Sequence, residues 1–394
     1  MNKVKGKEIR IGAIGCGGRL RHVAAELLKQ SPLLKVVALS DPSPISIKAA
    51  RERLNPEAVV YDDYRELVRA KDIDWVMIGS WNCFHREHTV AAFTAGKNVF
   101  CEKPLATTME DCIAMDKAWK KSKKTFNIGF TLRYSPHYRK IHELLEQGVV
   151  GDIISMEFNE TIGFNHGGYI MGDWRRLTKN AGTHLLEKCS HDIDLTNWMV
   201  GSKAGRVASF GGLDFYLPEN ECHVKRIGKN KDGKPAYQTW PGMDRQNPFT
   251  SKKDIIDNQV VIMEYENKVR ATFHINCNSG IPERRMCILG TEGAIRADVM
   301  AGILDVCRIG FDKKTGRENY AEKVIMDPGA SGGHGGGDVV LAKELAATMM
   351  FGEPAKAGLR DGLLSAVTCF GIDTAMNTGK VVNMAPFWKK AGVK

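Results

Sequence analysis

Residues 9–20 read Ile-Arg-Ile-Gly-Ala-Ile-Gly-Cys-Gly-Gly-Arg-Leu, and residues 35–42 read Lys-Val-Val-Ala-Leu-Ser-Asp-Pro. A short apolar run ends in glycines and passes into a stretch with helical spacing at 23–30. A second apolar run follows and is broken by Asp41-Pro42. Outward from here the alternation repeats. Helical spacing at 45–54, 64–70, 85–95 and 110–122 is interleaved with apolar runs at 59–61, 75–79, 98–101 and 125–130. Uninterrupted apolar strands alternating with helices predict a parallel sheet covered on both faces, in a doubly wound α/β domain over 1–130.

The remainder, 131–394, has a different pattern. A helix at 136–147 closes on Gly148. Alternating runs at 153–159, 260–265, 269–276 and 286–289 predict an α+β domain with a large, mostly antiparallel open sheet. Helices are expected at 339–350 and 361–378. The stretch 217–251 is rich in Gly, Pro, Asn and Lys and reads as a long loop or insertion.

Bulk properties narrow the class. With 394 residues and 43% hydrophobic content, two ordinary cores are attainable without a metal or disulfide staple. The ten cysteines include no C-x-x-C pair and no zinc-like cluster, so they read as small core hydrophobes. No apolar run is long enough to span a bilayer, and the lysine-rich start lacks the apolar core of a secretory signal, so a cytoplasmic, membrane-free protein is expected. The formal charge of +10 has no nucleic-acid-binding module beside it. Basic runs at 120–124 and 225–234 read as a solvated helix end and a solvated loop.

Gly15, Gly17 and Gly18 sit where a tight turn lets backbone N–H groups approach a pyrophosphate at a helix N-terminus, with Arg19 and Leu20 opening that helix. Leu20 occupies the place of the usual third glycine, and its bulk is expected to hinder helix–strand packing. Asp41, ending the second strand, can accept hydrogen bonds from both ribose hydroxyls and repels a 2′-phosphate; it also suits a plain turn before proline. Together these features favour NAD over NADP.

Further motifs carry a family resemblance: Ala95–Ala106 (AGKNVFCEKPLA), Asn82-Cys83-Phe84-His85, Gly129–Pro136 (GFTLRYSP) and Leu186–Gly201 (LEKCSHDIDLTNWMVG). In this order over most of the chain, they resemble the glucose–fructose oxidoreductase/inositol dehydrogenase (Gfo/Idh/MocA) family. The resemblance implies a Rossmann domain followed by a second α/β domain whose open sheet often mediates dimers or tetramers. It also implies a nicotinamide cofactor and a sugar or polyol substrate. Ser80, Asn82, His85, Glu102, Lys103 and Arg133 then become candidate cofactor contacts. Lys103, following a parallel strand, is implied to be catalytic.

The apolar positions of 186–200 have helical spacing, which puts Glu187, His191 and Asp194, at i, i+4 and i+7, on one face. His191 matches the family's catalytic histidine. Glu187 stands where its carboxylate is usually aspartate, and Cys189 where it has glycine. Lys188 and Asp192 read as a surface i, i+4 pair. Arg133 and Tyr134 are candidates for cofactor or substrate contact, or for packing between domains. Trp174 and Arg175 are candidates for a sugar face, and a buried structural tryptophan is the alternative. His334 and Asp338 are candidate substrate contacts as well, with Asp338 alternatively a helix N-cap. Glu187 and His191 have metal-compatible spacing, but no third ligand follows, and no metal is expected.

The leading expectation is hydride transfer between a nicotinamide and a secondary alcohol or ketone of a sugar, glycoside or inositol. Lys103 polarises the oxygen and His191 exchanges the proton. Two alternatives use the same residues: a glycosidase that recycles NAD through transient sugar oxidation and elimination, and a sugar-sensing regulatory protein.

Overall fold

The computed structural model describes residues 6–240, 245–323 and 333–393. The chain divides into two compact units. In the first, β1 (Ile9–Ile14), β2 (Leu34–Ser40), β3 (Val59–Val60), β4 (Trp75–Ile78), β5 (Asn98–Cys101) and β6 (Phe126–Ile128) form one sheet. All its pairs are parallel, in the order β3-β2-β1-β4-β5-β6. Every residue of β4 is buried, as both-face coverage by helices requires. The covering helices start on chemical stops. Ser43 accepts from the Ser46 N–H ahead of Pro44, and Thr108 accepts from the Asp111 N–H. Strand order reverses between β1 and β4, so a crevice opens at their carboxyl ends.

The first unit runs to Pro136 and takes back the described residues from 333 to Ala366. The helix Gly337–Phe351 packs on the helix Gly18–Leu28 and on the turn Thr131–Tyr134. The Ile128 N–H, on the sheet's edge strand, donates to the Ala357 carbonyl at 3.1 Å.

The second unit begins at His137 and is completed by the residues after Ala366. Its sheet comprises β7 (Ile153–Gly163), β8 (Ala204–Gly212), β9 (Asn258–Tyr265), β10 (Arg270–Ser279), β11 (Arg285–Gly290), β12 (Gly293–Asp298), β13 (Ile303–Phe311), β14 (Glu318–Lys323) and β15 (Val382–Asn383). The order is β14-β13-β12-β11-β7-β10-β9-β8-β15, and only β7 and β10 pair in parallel. β9 alternates strictly: Val261, Met263 and Tyr265 are buried while Val260 and Ile262 face outward.

The stretch 217–251, of which 241–244 lie outside the described residues, is more than the loop its composition suggests. It contains the helix Cys222–Ile227 and a small core of its own, with Tyr216, Tyr237 and Phe249 buried and Phe164 and Phe215 packed against them. Burying rings of this size contributes about 1.5–3 kcal/mol each, which outweighs the polar composition. Asp257 fixes its entrance by accepting from the N–H groups of Asp214, Phe215 and Tyr216 at 2.8–2.9 Å. No helix among the described residues is long and apolar enough to cross a membrane.

Candidate active site

In the first unit the candidate residues follow four adjacent strands at their carboxyl ends. β1 runs into the glycine turn. Gly15 has a φ of +79°, and a Cβ there would collide with the Ser80 backbone, so the position demands glycine. A Cβ at Gly17 or Gly18 would meet nothing within 4 Å, and Gly17 caps the first helix without a side-chain partner. This is open space in front of a helix N-terminus, the shape that receives a phosphate. Asp41, after β2, holds the turn. Its Oδ2 accepts from the Cys16 N–H at 2.6 Å, and its Oδ1 accepts from the Ser43 N–H at 2.7 Å. Asp41 is therefore a turn residue, at the carboxyl end of β2. The buried Cys16 thiol is pushed up to about 12 by burial and by Asp41, so it carries no nucleophilic chemistry.

Leu20 does not obstruct packing. It is fully buried against Gly79, where a Cβ would lie 2.6 Å from the Leu20 Cβ. The glycine missing from the helix is supplied by the residue after β4.

Ser80, Asn82 and His85 follow β4. The Ser80 hydroxyl lies 2.9 Å from His88 Nδ1. His85 is fully buried, with Nδ1 2.7 Å from the Pro104 carbonyl and Nε2 3.2 Å from the Ser80 carbonyl. Burial lowers its pKa to about 4, so it is neutral at pH 7 and has one N–H to give. His85 thus fastens the Glu102-Lys103-Pro104 turn, whose Lys103–Pro104 bond is cis. Lys103 is half-buried there.

Glu102 and Asp338 share Arg19. The guanidinium donates from Nε to Glu102 at 3.1 Å, from NH1 to Asp338 at 2.6 Å and from NH2 to the Thr131 hydroxyl at 2.6 Å. His334 Nδ1 and His22 Nε2 approach the other Asp338 oxygen at 3.1 and 3.5 Å. Against burial, which raises it, His334 and Arg19 hold the Asp338 carboxyl well below the usual range. The helix cap is Gly336; Asp338 lies inside the first turn. His334 and Asp338 therefore join the first unit at the glycine-turn helix. Arg133 is engaged in the same unit, with Asp361 at 2.9 Å and the Lys356 carbonyl at 3.3 Å. Tyr134 is buried beside it.

In the second unit the helix His184–Val200 carries Glu187, His191 and Asp194. Thr183 caps it, accepting from the Leu186 N–H and donating to Asp373 at 2.6 Å. Glu187 accepts from Arg175 Nε at 3.0 Å. The same guanidinium reaches the Tyr169 hydroxyl at 2.9 Å and Asp173 at 2.8 Å, and lies 4.3 Å over the Trp174 ring. Trp174 and Arg175 thus form one cation–π unit that orients Glu187.

Lys188 and Asp192 are not a surface pair. Almost every face of this helix is buried. Lys188 pairs with Glu160 at 3.0 Å, and Asp192 lies 2.9 Å from Arg284 Nε. Arg284 also contacts Glu160, and its NH2 is 3.3 Å from His191 Nε2. Asp192 Oδ2 is 3.4 Å from that same nitrogen. Burial raises the Glu160 carboxyl, but Arg284 and Lys188 overcome it and hold Glu160 ionised. Sequence reasoning missed both Glu160 and Arg284. Strand parity carries the signal, because Glu160 falls in line with Met156, Phe158 and Ile162, and Arg284 with Met286 and Ile288, all buried. Glu160, His191 and Asp192 have metal-ligand character. Their positive charge comes from Arg284 and Lys188, two cations against two carboxylates, so the donor set does not call for an ion.

Comparison with known proteins identifies the family and the fold. The family model for the oxidoreductase family with an NAD-binding Rossmann fold (GFO_IDH_MocA) matches residues 9–130, and that for its C-terminal alpha/beta domain matches 142–384. The inositol 2-dehydrogenase/D-chiro-inositol 3-dehydrogenase of Shouchella clausii is 34% identical over 73% of this chain and 71% of that relative. The inositol 2-dehydrogenase of Gluconacetobacter diazotrophicus is 32% identical, over 48% of this chain and 54% of its own length. The fold is shared with a scyllo-inositol dehydrogenase from Lactobacillus casei solved with NAD(H) and scyllo-inositol, at 19% identity and a TM-score of 0.73 over 96% of this chain and 100% of that one. The chain belongs to the Gfo/Idh/MocA oxidoreductases, an enzyme family, and its N-terminal domain is of that family's NAD-binding Rossmann type.

Proposed function

We propose that the enzyme is an NAD-dependent dehydrogenase of a cyclic polyol or sugar, oxidising a secondary alcohol or reducing the matching ketone. The observation carrying this reading is the first unit's carboxyl edge. Adjacent strands there deliver an open glycine turn, an acid that braces it and the Glu102-Lys103-Pro104 turn. Asp41, at the end of β2, supports NAD over NADP by charge repulsion of a 2′-phosphate. The inositol substrates named for relatives support the substrate class.

Bound nicotinamide supplies the hydride acceptor. The protein's own work is on the proton and the oxygen. The Lys103 ammonium donates to the reacting oxygen and lowers the alcohol's pKa. His191 exchanges the proton; Arg284 donates to its Nε2 at 3.3 Å and Asp192 Oδ2 lies 3.4 Å from the same nitrogen, so the ring is held between a guanidinium and a carboxyl group. Arg284 keeps the opposite charge balance and fixes the ring. Glu187, oriented by Arg175, accepts hydrogen bonds from a neighbouring hydroxyl.

The test is nicotinamide absorbance with NAD and NADP over a panel of sugars and inositols. Lys103→Ala and His191→Ala should each lower kcat/KM by about a thousandfold or more. Normal turnover in both variants defeats the assignment, and tighter binding of NADP defeats the cofactor preference. Release of an aglycone without net NADH would instead favour the redox-neutral glycosidase.

The outer face of the second sheet supports self-association. Phe210 is 75% exposed, and Val260 and Ile262 lie beside it in register on β9. A second copy of the chain is the natural cover for such a face, and Phe210→Asp should shift the mass measured by light scattering.

A further inference from the structure

Beside the helix Phe164–Gly172 the second unit holds a small cleft of about 80 Å³ that the chemistry above leaves unused. Its floor is Tyr169 and Asp173, and its walls are Gln238, Trp240, Arg245 and Asn247. The walls are pinned. The Tyr237 N–H donates to Asn165 Oδ1 at 2.8 Å, the Gln246 N–H to the Gly172 carbonyl at 2.9 Å, and Arg245 to the Gln238 carbonyl at 2.7 Å. Behind them sits the aromatic core of Tyr216, Tyr237 and Phe249.

Trp240 stands out. Its indole stacks on the His166 imidazole at 4.4 Å and 21°, and it tilts against Tyr169 at 5.8 Å. Burial lowers the His166 pKa to about 3, so the ring beneath Trp240 is uncharged. With one face covered in this way, Trp240 is still 43% exposed. An indole that a stacked ring and a pinned wall hold in the open offers a rigid apolar face at low entropic cost. Around it lie the Gln238 and Gln246 side chains and the Arg245 guanidinium, while Asp173 is bound to Arg175 and Asn247 to Glu221 and the Phe249 N–H. An apolar face inside a polar rim matches a pyranose ring, whose C–H groups form faces and whose hydroxyls form the edge.

The cleft is also connected to the proposed chemistry. Tyr169 lies on its floor, the Tyr169 hydroxyl accepts from Arg175, and Arg175 holds Glu187 one helical turn before His191.

We propose that this cleft is a second-ring subsite: the substrate is a glycoside, and the ring that is not oxidised stacks on Trp240. The proposal rests on the dehydrogenase reading, and it narrows the substrate class from free sugars and inositols to two-ring molecules.

Calorimetric titration of the full chain with NADH present tests it, using cellobiose, maltose and p-nitrophenyl β-glucopyranoside against glucose and myo-inositol. At least one two-ring probe should bind about tenfold or more tighter than the single-ring probes. Trp240→Ala should remove that margin, and Trp240→Phe, which keeps a flat face, should retain most of it. The proposal is overturned if no two-ring probe has the advantage, or if Trp240→Ala leaves it intact. Nicotinamide reduction by the wild-type protein reports separately on the parent reading, so the two can fail independently.

Discussion

Two charged clusters, one in each unit, solve opposite problems. Around Arg19, three anionic or hydroxyl partners tie down turns, and the arginine keeps 31% of its side chain exposed. Around Arg284, two cations and two carboxylates are sealed among apolar strands, with its side chain 10% exposed and Asp192 at 0%. The first cluster braces the backbone turns of the proposed cofactor site. The second surrounds the His191 ring with buried charge. Arg19 itself reaches water although its carboxylate partners are buried, whereas at Arg284 both sides of the pairing are buried and a lost partner leaves charge stranded in low dielectric.

Stability variants break or sharpen that contrast. Arg284→Ala leaves two buried carboxylates facing one lysine and should cost about 3–5 kcal/mol in urea unfolding. Arg19→Ala should cost less, about 1–3 kcal/mol, because Arg19 is partly solvated and water can enter the space it leaves beside Glu102 and Asp338. Equal losses would erase the distinction.

A pH series adds a second arm within the buried unit. Asp373, whose hydroxyl partner caps the helix bearing His191, is raised to about 7 by burial. A folded-state value above the unfolded one, near 3.9, gives stability that is full below pH ~4 and lost as pH rises through 7. Asp373→Asn should therefore match wild type near pH 4 and exceed it by roughly 1–3 kcal/mol at pH 8. A wild-type unfolding midpoint that stays level across this range, or a variant no more stable at pH 8, would count against a proton held there. A packing variant in the first unit comes last. Gly79→Ala forces a methyl into Leu20 and should cost about 1–3 kcal/mol, with weaker NADH binding by fluorescence titration.

The same contrast explains what could be read from sequence. The glycine turn, Asp41 and the Glu102-Lys103-Pro104 turn are backbone devices with contiguous spelling, and the alternation of apolar runs and helices around them gave the parallel sheet. The antiparallel class of the second sheet was legible too, from period-two runs such as 260–265. Strands like β8, written AGRVASFGG, were not, because glycine and arginine dilute their alternation. The buried cluster drew on β7, the His191 helix and the residue before β11, the last more than 90 positions beyond the other two. Lys188 and Asp192 looked like a solvated pair because local spacing carries no information about what lands on the far side of a helix. Arg133, His334 and Asp338 were placed by motif, and their partners Asp361 and Arg19 lie hundreds of residues away in the chain.

The Leu20–Gly79 contact has a consequence for kindred sequences. Space at the junction of the first helix and β4 is filled jointly by positions 20 and 79. Where the helix carries a small residue at position 20, position 79 is released to take a side chain; where it carries a bulky one, position 79 is bound to glycine. The two sites should therefore change in concert, and a sequence that is large at both should have moved its first helix outward from the sheet.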